Sequence, residues 1–183
     1  SITEIVLNDW TTAYRDEFIA STENSASSAV NKFVNDFIYY FEKGLRANKI
    51  GIPAGNFSST PLPHTVEGYY VRETSKDLTL EALNAFQNLF NGTHYNTNDS
   101  GVGFNDYLNY LDRNDLVNLI NNQLDEARAK ISILDDNYFD QINNDNTKMT
   151  QAYDALQTVV VLIKVDMLQA FNISVDYVDA DGD

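Results

Sequence analysis

Cysteine is absent from this chain, which excludes disulfides, thiolate nucleophiles and Cys-ligated zinc. That absence does not fix the compartment: it fits an extracytoplasmic protein that relies on its core, and equally a cytoplasmic one. Positive charge is scarce, with 12 Lys and Arg against 27 Asp and Glu, for a net charge of −15. Phosphate backbones and anionic headgroups are bound through clustered Lys and Arg, so nucleic acid and anionic lipid are excluded as expected partners. A cation or cationic ligand suits this field better. No apolar run approaches the roughly 18 residues that span a membrane, and the longest, Val159–Ile163, stops at Lys164. Gly-x-Ser-x-Gly is missing, and so is the Gly-Lys-Ser/Thr ending of a phosphate loop.

What remains is ample material for one domain. The chain has 183 residues, 43% of them hydrophobic, which suffices for a sizeable core. It opens with Ser1 and no signal peptide, so the expectation is a removed leader or the latter part of a longer polypeptide.

Apolar residues recur at helical spacing over most of the length. Ile2, Val6, Trp10, Tyr14 and Phe18 stripe a first helix, about 2–20. Val30, Phe33, Val34, Phe37, Ile38, Phe41 and Leu45 stripe a second, about 25–48, with Lys43, Arg46 and Lys49 at the end where the helix dipole favours positive charge. The stretch 51–75 holds all three prolines, and a loop this long is unusual in a compact domain. Its Phe57, Tyr69 and Tyr70 predict an ordered excursion packed on the helices, with a short helical turn around 64–70. Further helices are predicted at about 76–91, 104–111, 114–134 and 147–171, with one more short turn around 138–142. Residues 173–178 alternate and read as extended. The fold class expected is therefore all-α, an up-and-down helical bundle with a long ordered loop and short accessory helices, forming a single domain over 1–183.

Ionisable residues in unusual places are the candidate site residues. Lys164 and Asp166 lie inside the most apolar helix, where burial is costly without partners. At spacing two they cannot face each other. Asp154 or Glu17 is the expected partner of the lysine, and Arg15 or Arg128 of the aspartate. His64 and Glu67 form a His-x-x-Glu pair; on a helix they would share a face and supply two metal ligands, with a third needed from elsewhere. His94 sits in a glycine-bearing loop. The acidic tail, with Asp176, Asp179, Asp181 and Asp183, resembles part of a calcium loop but lacks the closing Glu.

Several word-like runs add to this. YYFEKGLRAN passes into KIGIPAGNF at Lys49–Phe57; FNGTHYN follows at Phe90–Asn96, GFNDYLNYL at Gly103–Leu111, and LIKVDMLQAF then VDYVDADGD close the chain. Together they resemble the C-terminal half of the imelysin-like family, which includes an insulin-cleaving membrane peptidase and iron-regulated proteins. The resemblance implies two related helical bundles, an extracytoplasmic location in the periplasm or at the cell surface, often as a lipoprotein, and an N-terminal bundle of the same precursor as partner. It implies a link to iron or another divalent metal, and a Gly-x-His-x-x-Glu metal motif that belongs to the N-terminal bundle. Here Gly92-Thr-His94 meets Thr97 where Glu is required, and His64-Thr-Val-Glu67 has Leu62 where Gly is required. The expected function is a non-enzymatic binding or scaffold module. The alternatives are part of a metallopeptidase using His64 and Glu67, and a surface interaction domain that docks a partner through an apolar groove.

Overall fold

The computed structural model describes residues 1–95, 97 and 99–177. Its described residues contain helices and turns, and no β pairing beyond one isolated bridge between Thr93 and Ser100. The all-α expectation holds. In chain order come α1 (Ile2–Asp9), a π-helical turn (Trp10–Tyr14) and α2 (Arg15–Ala20), which form one rod. The second rod joins α3 (Ala29–Tyr39), a long π-helical segment (Tyr40–Gly51) and α4 (Ile52–Ala54). Then follow α5 (Ser75–Phe90), α6 (Phe104–Tyr110), α7 (Asn114–Ser132) and α8 (Tyr138–Val161). A second buried π-helical segment (Leu162–Met167) and α9 (Leu168–Phe171) complete the last rod. Two 3-10 turns, Pro63–Thr65 and Arg72–Thr74, stand in the long excursion.

Local chemistry sets these limits. Ser1 caps α1 by accepting from the Glu4 amide, and Glu4 reaches back to the chain's first amine, a capping box. Gly55, at φ 88°, ends α4 in the left-handed region. Asn137 caps α8 through the Asp140 amide at 3.2 Å. The expected turn around 138–142 and the last helix lie on either side of a kink within α8, where Asp145 leaves helical geometry (φ −153°, ψ 86°). Asn172, at φ 55°, ends α9, and residues 173–177 are non-helical.

One continuous core runs between α5, α7, α8 and the second rod. Ile38, Phe41, Leu45, Leu83, Ile120, Leu124, Leu156 and Ile163 are fully buried at its centre. Fully burying such a side chain stabilises by roughly 1.5–3 kcal/mol. The Phe37 and Phe86 rings stack at 3.9 Å, locking α3 to α5.

The first rod departs from expectation. Its stripe was read as core, yet no residue of α1, the following turn or α2 is buried. Trp10, Tyr14 and Phe18 instead form a ladder of rings 5.8–6.4 Å apart, joined through Phe33 and Phe104 to the body of the protein.

Candidate functional site

The charged centre of the molecule lies where the two buried π-helical segments meet. A π turn carries more residues than an α turn, and such departures concentrate at functional sites. In Tyr40–Gly51, Glu42 and Arg46 face inward together with Phe41 and Leu45, and all four are buried. Lys164 reaches the same point from Leu162–Met167, with its side chain 13% exposed.

Glu42 is the hub. One of its oxygens lies 3.1 Å from Lys164 Nζ and accepts from the Tyr177 hydroxyl at 3.0 Å. The other accepts from Lys164 Nζ at 3.3 Å and stands 3.6 Å from an Arg46 nitrogen. Arg46 also donates to the Tyr153 hydroxyl at 3.2 Å, to the Gln157 side-chain oxygen, and through Nε to the Glu42 carbonyl at 3.4 Å. Its guanidinium lies 5.5 Å from the Phe57 ring centre and 5.4 Å from that of Tyr153, within cation–π range. Gly51 permits this enclosure, since a Cβ there would come within 2.5 Å of Phe57 and 2.7 Å of Tyr153. Tyr177 closes the outer side, its ring 5.5 Å from Lys164 Nζ. The arrangement ties the second rod, the last rod and the C-terminal segment together at one carboxylate.

The partner of Lys164 is therefore Glu42, not Asp154 or Glu17. Asp166 points elsewhere: it is half-buried, and its charge helps raise the affinity of Arg113 for its proton, behind the hydrogen bond that Arg113 donates to Asp115. Arg128, the other expected partner, bonds Asn84 and Gln87.

His64 and Glu67 do not share a helix face. The 3-10 turn ends at Thr65, and Val66 (ψ 139°) swings the chain away. Both are exposed, and Glu67 pairs with Lys49. Glu67 lines a groove of about 360 Å³ with Tyr40, Gly44, Asn48, Lys49 and Thr65. Burial, and secondarily the Glu67 charge, raise the pKa of the Tyr40 hydroxyl. His94 is exposed in its loop, its amide bonded to the Asp99 carbonyl at 3.0 Å. Among the described residues no group of three or more His, Cys, Asp or Glu is placed to hold a metal ion. Asp179, Asp181 and Asp183 lie outside the described residues.

Sequence reasoning missed Glu42, Arg46, Tyr153 and Tyr177. The signal was present in Lys164, a cation inside an apolar run that required an internal carboxylate. Glu42 was passed over although it lies four residues after buried Ile38 on the inward stripe, because that stripe was traced through apolar residues alone.

No helix among the described residues is long and apolar enough to cross a membrane. The family profile described as imelysin matches residues 2–163. No curated protein and no solved structure matches the chain.

Proposed function

This chain belongs to the imelysin family, and from that premise we propose that it is a non-enzymatic binding or scaffold module working outside the cytoplasm. In this reading it docks a second helical bundle, the N-terminal bundle of the same precursor, and the two together enclose a ligand connected with iron or another metal. The supporting observation is the apolar face of the first rod. Ile2, Val6 and Tyr14 are 82%, 61% and 53% exposed, and Trp10 is 41% exposed. A lone helix of this length is marginal in water, so such a face calls for a cover. Shallow cavities of about 430 and 450 Å³ run along it beside Trp10 and Tyr14. Glu4, Asp9, Asp16 and Glu17 outnumber Arg15 along the rod, which disfavours a second copy of this acidic chain as the cover.

Trp10 is the sole tryptophan and reports on the face directly. The expected result is red-shifted emission and a monomeric mass for the chain alone, then a blue shift and a 1:1 complex on adding the precursor's N-terminal bundle. A face that stays wet after that addition refutes the docking reading. Concentration-dependent dimerisation with a blue shift would assign the face to a second copy instead.

A metallopeptidase reading draws on Glu67, which sits in a groove beside Tyr40 and Asn48. A metal there would have to displace Lys49 from Glu67 and recruit His64 and a further ligand. Stoichiometric metal in the purified chain that disappears in both His64→Ala and Glu67→Ala, with metal-dependent peptide cleavage, would establish it. A chain that takes up no added metal and cleaves no peptide leaves the scaffold reading standing.

A further inference from the structure

The segment Asn172–Tyr177 is attached to the helices in an unusual way. Of its side chains only Ile173 is buried, while Ser174, Val175 and Asp176 are exposed. Its anchorage is made of side-chain amides that bond its backbone. Asn35, only 2% exposed, donates to the Ser174 carbonyl at 3.1 Å and accepts from the Asp176 amide at 3.2 Å. One amide side chain thus pairs with the C=O of one residue and the N–H of the residue two further on, as a neighbouring strand would. The second Asn35 proton goes to the Asn31 carbonyl at 3.0 Å, which fixes the amide's orientation. Asn24 donates to the Asn172 carbonyl at 3.0 Å and is itself held by Asn31, again at 3.0 Å. At the far end the Tyr177 hydroxyl reaches Glu42, and its ring meets Tyr39 edge-on at 5.1 Å.

Backbone bonds that set a register, with a side-chain anchor at one end, are the means by which proteins recognise non-helical peptides. We propose that Asn24, Asn35, Tyr39 and Glu42 form a recognition groove for a non-helical peptide ending in tyrosine, and that Asn172–Tyr177 fills this groove as a displaceable strap. Four of the strap's six side chains are exposed, so its detachment is a local opening that gives up the burial of Ile173 and the contacts of Tyr177 and leaves the helices in place. Its tether supplies it at a millimolar effective concentration, so a peptide added in trans competes at a disadvantage until the strap is loosened. The groove uses none of the residues of the first rod, and the proposal does not depend on that reading.

The test uses the full chain. Asp176→Pro deletes the amide that Asn35 accepts and leaves every groove residue in place. A fluorescein-labelled hexapeptide with the sequence of residues 172–177 is titrated onto the native chain and the variant and followed by anisotropy. The variant is expected to bind at least about tenfold more tightly than the native chain. Adding Asn35→Leu should abolish that binding, and replacing the peptide's tyrosine by alanine should weaken it about tenfold. A folded Asp176→Pro chain that takes up no peptide overturns the proposal. So does equal binding to native and variant chains, which would place the peptide elsewhere. If Asp176→Pro fails to fold, hydrogen exchange of the Asp176 amide in the native chain decides: excess unlabelled peptide should accelerate it, and an unchanged rate overturns the idea.

Discussion

Replacing Glu42 by glutamine is the sharpest test of how the two π-helical segments are held. The substitution preserves shape and removes one negative charge from a fully buried position. Lys164 Nζ, at 3.1 Å, and Arg46, at 3.6 Å, would then face each other across a neutral amide. Losing one member of a buried ion pair costs about 3–5 kcal/mol, because the remaining charge is stranded. For a chain of this size that corresponds to a fall in Tm of about 6–20 °C. Urea unfolding followed by helical circular dichroism gives the free energy, and a cycle with Lys164→Met isolates the pair. The double variant should recover part of the loss, with a coupling of about 1–3 kcal/mol. A Glu42→Gln chain within about 1 kcal/mol of native, or strict additivity in the cycle, would refute the account of Glu42 as the hub.

Other outcomes follow from the same geometry. Among the described residues the buried Tyr138 hydroxyl has no well-formed hydrogen bond: its neighbour, the Thr79 hydroxyl, donates to the Ser75 carbonyl at 2.8 Å instead. Tyr138→Phe should therefore hold or raise stability by up to about 1 kcal/mol in urea unfolding. Gly51→Ala drives a methyl into Phe57 and Tyr153, and thermal unfolding should show a loss of about 1–3 kcal/mol. Tyr40 binds its proton more tightly folded than unfolded, so its contribution to stability is present below pH 10 and is lost as pH rises through its elevated value. Glu67→Gln should lower that value, read from the Tyr40 ring resonance in an alkaline NMR titration.

Most rods were legible because the core writes its period into the chain. Leu116, Ile120, Leu124, Ala127 and Ile131 are spaced for one face of α7, and all are buried. The same rule misled at the first rod, where Val6, Trp10 and Tyr14 are striped but open to water. A stripe reports that a face seeks apolar company and does not say which body supplies it. Leu119, also apolar, is 51% exposed, since it lies at the stripe's edge. Residues 138–142 and 147–171 read as separate helical pieces, and Asp145, with extended φ and ψ, does part them. At the charged centre, Lys164 was legible and its partner was not. Pairing Glu42 with Lys164 requires knowing how the wide turns of Tyr40–Gly51 pack against the last rod, and no propensity or spacing rule announces that.

Those wide turns also decide where this protein can change its length. Dropping a residue within Tyr40–Gly51 would let the coil relax to ordinary winding and rotate everything beyond it by about 100°. Ile50 and Gly51 would leave the interior, and Phe57 would no longer close over Arg46. The exposed loop at 58–60, past Phe57, has no such phase to keep. Indels in that loop can be absorbed locally, whereas a single codon lost a few positions upstream would put half the molecule out of step with the other half.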